Sequence, residues 1–204
     1  MRTADHMNLS RYIMDKAAGD APGLLKFLFI FGSIEPDINM LTYFRGSIKG
    51  DEKLRGHNYE NVRTYMEWLT KKLENEKMGR FRKSFLLGKL VHYVADSFTY
   101  PHNSFFPGSL REHCQYETEL HGYVNRMIEM GDVNMDVLPA DVDVMEYIEE
   151  MHEEYEQDMP GMETDYGYIT SAISMVTERF WQTETASSLG TFIPAAICKQ
   201  RVPS

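Results

Sequence analysis

The chain has 204 residues, 43% hydrophobic and 25% charged, which is the balance of a globular protein long enough to bury a substantial core. Its net charge of −10 works against long-range attraction to nucleic acid or anionic lipid, although bound cations can make one cleft locally positive. The two cysteines, Cys114 and Cys198, form no CxxC pair and support no disulfide framework.

Helical periodicity dominates the chain. Residues 8–18 predict a short first helix. Pro22 opens a second over 22–31 that stops near Gly32, and FGSIEPDINM then reads as a loop in which Pro36 fixes the backbone before Asp37. A basic, Gly-rich connection, RGSIKGDEKLRG, leads to His57. Val62, Tyr65, Met66, Leu69 and Leu73 recur at helical spacing within 58–75. A further helix spans 82–98, and PHNSFFPGS with its two prolines is a loop. Residues 109–130 form a long helix ended by Gly131. Segment 141–157 turns Val144, Ile148, Met151 and Tyr155 inward, and 165–187 is the last helix. No segment alternates like a strand. The most apolar stretch, GLLKFLFIFG at 23–32, is shorter than a membrane span, and none reads as a signal peptide, so the expected location is cytoplasmic. The expectation is all-α: one domain over 1–204 built from about seven helices.

On a helical wheel, Leu87, Val91, Val94 and Phe98 share one face of segment 82–98. His92 and Asp96 sit together on roughly the opposite face, beside Gly88 and Ala95. Between Ser84 and Phe98 the only other charge is Lys89, which predicts a helix buried on both sides. A buried carboxylate is costly unless compensated. Two readings stand for this pair alone: a metal ion held at i, i+4 spacing, or a His–Asp hydrogen bond inside the core.

The next helix shifts the weight towards a metal. Leu110, Leu120, Val124 and Ile128 mark its buried stripe, and His113 and Glu117 fall on that stripe, with His121 at its edge. A surface ion pair would need the other face. His102 follows Pro101 in the joining loop, and His57 stands at the start of a helix. Asp37 reads as turn chemistry, His6 lies near the N-terminus, and His152 reads as a surface residue on an acidic helix. Imidazole and carboxylate without thiolate suit Zn²⁺ or another divalent transition metal, and Cys114 lies on a different face from His113 and Glu117.

Taken in order, these residues resemble the zinc-dependent phospholipase C family, which shares its fold and metal cluster with the S1/P1 nucleases. The family signature H-Y-x-x-D-x-x-x-x-x-H reads here as His92-Tyr93-Val94-Ala95-Asp96 with Pro101-His102, and its H-x-x-x-E reads as His113-Cys114-Gln115-Tyr116-Glu117. His6, Asp37 and His57 stand where the family has an N-terminal His, a loop Asp and another His. Ala95 departs from the family's Gly or Thr, and the family's proline comes one position before Pro101. The resemblance implies that Asp37, His57, His92 and Asp96 hold one zinc, and that His102, His113 and Glu117 hold a second. His6 and Asp96 would share a third, with Asp96 bridging. In the family an N-terminal Trp completes that third site with its amine and carbonyl. Met1 stands five residues before His6 here, so the site is expected to be weak, differently completed or empty.

The resemblance also implies phosphoester hydrolysis on a phospholipid headgroup or a small phosphoester, with Asp37 orienting or deprotonating the attacking water. Aromatic residues such as Tyr93, Tyr100, Phe105 and Phe106 could line the pocket or belong to the core. The alternative is a non-catalytic, metal-stabilised domain that binds a phosphorylated ligand. An HD-domain phosphohydrolase needs an adjacent His-Asp dipeptide, which is absent. A di-iron bundle needs two Glu-x-x-His motifs, and Glu149 with His152 supplies one.

Overall fold

The computed structural model describes residues 1–39, 58–75, 77–139 and 141–189, with side chains as far as Trp181. Among them are seven α-helices and no strand: α1 (Thr3–Ala17), α2 (Gly23–Ile38), α3 (Tyr59–Leu73), α4 (Arg80–Ser97), α5 (Leu110–Met130), α6 (Val144–Gln157) and α7 (Met162–Leu189). A 3₁₀ turn, Tyr100–His102, links α4 to α5. No described helix is long and apolar enough to cross a membrane.

Helix α4 is the axis of the fold. It packs on α2, α3 and α7, and every residue from Leu86 to Ser97 is buried. That matches its missing polar face. Helices α2 and α4 run parallel: the Ser84 hydroxyl donates to the Leu25 carbonyl, and two turns on His92 meets the Ser33 carbonyl. Glycines let the two backbones touch. A Cβ on Gly32 would overlap the Phe85 carbonyl, and one on Gly88 would overlap the Phe29 carbonyl. The core around this pair includes Phe29, Met66, Leu69, Leu90, Phe98 and Leu120.

Helix ends follow local chemistry. Ser109 and Glu112 form a capping box, with Ser109 N–H donating to the Glu112 carboxylate at 2.6 Å. Gly131 closes α5 in the left-handed region at φ 73°. Asp143 caps α6 by accepting from the N–H groups of Met145 (2.8 Å) and Glu146 (3.0 Å).

Three expectations are corrected. The stretch read as a loop after Gly32 is helical as far as Ile38, and Pro36 lies inside that helix. Gly32 is a contact with α4 rather than a terminator, and Pro36 costs the helix one i→i−4 hydrogen bond without ending it. Leu110 is 78% exposed, because the buried part of the α5 stripe begins only at Leu120. His152 is 2% exposed. It lies four residues after Ile148, on the same inward stripe, and stacks on Tyr59 with ring centroids 3.6 Å apart. The connection before α3, with His57, and the segment after Leu189 lie outside the described residues.

Candidate metal centre

Helix α4 turns His92 and Asp96 toward α1, where His6 is buried one turn into the helix. His6, His92 and Asp96 each offer a ligand atom within a common 4.8 Å. His6 Nε2 is 3.2 Å from Asp96 Oδ1, and His92 Nε2 is 3.4 Å from Asp96 Oδ2. The two imidazoles stack with centroids 4.0 Å apart. A second group, His102, His113 and Glu117, meets the same distance limit. Glu117 Oε1 lies 3.1 Å from His102 Nε2 and 3.2 Å from His113 Nε2. The groups adjoin, since His102 Nδ1 is 3.5 Å from Asp96 Oδ2.

Asp37 reaches the first group from the last turn of α2. Its Oδ1 is 3.7 Å from His92 Nε2, and its side chain is 17% exposed. Of the eight residues singled out in the sequence, the fold therefore brings His6, Asp37, His92, Asp96, His102, His113 and Glu117 into one neighbourhood. His57 is outside the described residues.

The donor atoms are prepared for a cation. His92 Nδ1 lies 2.8 Å from the Ser33 carbonyl, which fixes Nδ1 as the N–H and leaves Nε2 as a lone-pair donor facing Asp96 and Asp37. His6 Nε2 is buried and makes no hydrogen bond among the described residues. A buried, orphaned imidazole nitrogen aimed at a carboxylate is what a metal ligand looks like without its ion. The α-amino group of Met1 marks where positive charge is favoured. Its nitrogen is 2.8 Å from Asp96 Oδ1, 3.2 Å from Glu117 Oε1 and 3.1 Å from His102 Nε2. Burial opposes its charge, but the two carboxylates overcome that and raise its pKa to about 10. Burial likewise works against an ionised Asp96. The facing His102, Met1 amine, His6 and His92 outweigh it and hold the carboxyl well below its usual range. Glu117 is also held low: burial is again opposed, by hydrogen bonds from His102 and His113. Burial lowers His102, against the pull of the Asp96 and Glu117 carboxylates. These residues fit a zinc-type donor set of imidazole nitrogens and carboxylate oxygens, while Cys114 is exposed.

The aromatic neighbours divide between wall and core. Phe106 stands edge-on to His113 at 6.3 Å and to Tyr100 at 5.0 Å. Tyr93 is buried, edge-on to both His92 and Tyr65.

Sequence reasoning missed several polar groups behind this centre. Asp5 is wholly buried, with Oδ1 2.5 Å from His121 Nδ1, which ties α1 to α5. Asn103, directly after His102, accepts at Oδ1 from His152 Nε2 at 2.8 Å. Asp165, in the first turn of α7, is also wholly buried. The one available signal was the place of His152 on the Ile148 stripe. Asp5 and Asp165 read as ordinary first-turn acids.

No curated protein and no solved structure gives a significant match to this chain. A family model does: the one described as zinc dependent phospholipase C matches residues 5–174, a span that runs from α1 into α7 and takes in both ligand groups. The chain belongs to the zinc-dependent phospholipase C family.

Proposed function

We propose that the protein is a zinc-dependent phosphoester hydrolase of phospholipase C type, acting on a phospholipid headgroup or a small phosphoester. The observation that carries this reading is Asp96. It is a wholly buried carboxylate met by imidazoles from α1, α4 and the 3₁₀ turn at 3.2, 3.4 and 3.5 Å. A cluster that invests so much buried charge in one place is built for cations. The buried residues form one continuous hydrophobic cluster, which supports a single domain over 1–204.

In this reading His92, Asp96, Asp37 and His57 hold one zinc, and His102, His113 and Glu117 hold a second. His6 and Asp96 contribute to a third. When bound, zinc supplies neutralisation of the phosphate oxygens and a water whose pKa falls from about 15.7 to about 7. The chain's own residues do the rest. The Ser33 carbonyl keeps His92 in the right tautomer. Asp96 holds the two ligand groups together. Asp37, less buried than Asp96, orients the attacking water or takes its proton. Phe106 packs edge-on against His113 at the rim of the second ligand group.

The test is elemental analysis of purified protein, followed by assays on phosphatidylcholine analogues, nitrophenyl phosphates and single-stranded DNA. Zinc bound at more than one ion per chain is expected, and Asp37→Asn should lower turnover together with affinity for the zinc that Asp37 helps hold. No turnover above the metal-free control on any substrate overturns the hydrolase reading. Tight binding of phosphorylcholine without hydrolysis, unchanged in Asp37→Asn, would point instead to a metal-stabilised binding domain.

A further inference from the structure

We propose that Asp165 is a positioning residue for the second ligand group, a buried clamp that sets the distance between His102 and the His113/Glu117 pair. The inference rests on reading that group as a metal site. Its geometry needs explaining in any case, because its three residues come from two separate segments: His102 from a three-residue 3₁₀ turn, and His113 and Glu117 from α5. Nothing in either segment alone fixes the gap between them.

Asp165 spans that gap. Its Oδ2 accepts the Tyr100 backbone N–H at 2.9 Å, at the first residue of the turn that ends in His102. The same oxygen accepts the Tyr116 hydroxyl at 2.9 Å, from the residue next to Glu117. Oδ1 accepts the Tyr155 hydroxyl at 2.7 Å, which anchors the carboxyl to α6. One side chain on α7 thus grips both ligand-bearing segments and a third helix. The far end of the turn is also held from behind, through Asn103. Asn103 donates to the Ser97 and Thr99 carbonyls at 3.1 and 3.0 Å and accepts from His152 at 2.8 Å. The turn and α5 also meet directly where His102 Nε2 reaches Glu117 Oε1 at 3.1 Å, the ligand contact itself; Asp165 is the link behind it.

The chemistry suits a clamp. Burial raises the Asp165 pKa to about 6, against the pull of the Tyr100, Tyr155 and Tyr116 hydrogen bonds. A buried carboxyl of this kind is costly unless all its donors are in place, so it tolerates little drift in either segment. An asparagine cannot copy it: turned one way its NH₂ cannot accept the Tyr100 N–H, and turned the other way its neutral amide oxygen accepts the Tyr100 and Tyr116 bonds more weakly than a carboxylate does.

The experiment is a zinc titration by calorimetry of the full chain, with cobalt substitution to read the coordination spectrum. Wild type, Asp165→Asn, Tyr116→Phe and Tyr155→Phe are compared. In the wild type, His113→Ala should remove one class of site; if it does not, the metal-site reading itself fails. In Asp165→Asn, affinity at the His113-dependent class should fall by about ten- to a hundredfold, the usual effect of losing a hydrogen bond behind a ligand, with an altered cobalt spectrum. The His6-dependent class should keep its affinity. Tyr116→Phe should weaken the same class to a smaller degree, and it keeps the test open if Asp165→Asn does not fold. Tyr155→Phe removes a bond to the carboxyl that touches neither ligand segment, so it should lower the melting temperature and leave the ratio of the two affinities unchanged. The proposal is overturned if Asp165→Asn and Tyr116→Phe leave the His113-dependent affinity intact, or if they lower both classes equally.

Discussion

Histidine 152 should make the fold acid-sensitive. It is buried against Tyr59 of α3, Phe98 at the end of α4 and Tyr155 of its own helix, with Nε2 on the Asn103 side-chain oxygen. The charged groups facing it are Glu156, with Oε1 3.5 Å from Nδ1, and Glu60. Burial dominates: despite the support that Glu60 and the Ser97 backbone give to the protonated form, the pKa drops from 6.5 to about 4. The unfolded chain therefore takes up a proton near its ordinary pKa that the native state refuses until much lower pH. Stability from this residue is full above about pH 6.5 and is lost as pH falls toward about 4. Two and a half units at about 1.4 kcal/mol each, reduced by partial protonation at both ends, give a loss of about 3 kcal/mol between pH 7 and pH 4. The assay is urea denaturation across that range for wild type and His152→Gln, both with chelator so that the metal ligands titrate alike. The glutamine keeps a donor for Asn103 and cannot titrate. The wild-type curve should fall by about 3 kcal/mol relative to the variant. Parallel curves would refute the argument.

Other perturbations have equally definite signs. Gly88→Ala should destabilise by about 1–3 kcal/mol, because its Cβ meets the Phe29 carbonyl rather than a movable side chain, and should lower zinc stoichiometry by shifting His92. Gly122→Ala on α5, where a Cβ meets nothing within 4 Å, should instead stabilise by about 0.5–1 kcal/mol; thermal melts of the pair check the contrast. Asp143→Ala should cost about 1 kcal/mol in chemical denaturation by leaving the Met145 and Glu146 N–H groups without their cap. Zinc added to chelator-treated protein at about a thousand times its dissociation constant should raise unfolding free energy by about 4 kcal/mol, and an unchanged melting temperature would argue against a native-state metal site.

The elements legible in the sequence were those whose pattern had a single physical cause. Segment 82–98 carried apolar residues on one side and almost no charge on the other, and α4 is buried on both. His113 and Glu117 shared a stripe with Leu120 and Val124, and they do turn toward His102. Readings failed where one residue type serves two purposes. Gly32 and Pro36 look like terminators locally, but tertiary contact with α4 makes Gly32 a packing residue, and the helix carries on to deliver Asp37. His152 was hidden by the acids around it, although its spacing from Ile148 pointed inward. Asp5 and Asp165 resemble any acid in a first turn. Asp5 meets His121, 116 residues away, and Asp165 meets Tyr100 and Tyr116, 65 and 49 residues away, which no local pattern encodes.

Main chain meeting main chain at Gly32 and Gly88 has a further effect. Where two helices abut through side chains, each new side chain resets their spacing and slides one past the other. At these two glycines there is no such adjustable layer, which limits how far Asp37 can slide relative to His92. Substitutions elsewhere around the two ligand groups can therefore accumulate while Asp37 and His92 keep their spacing.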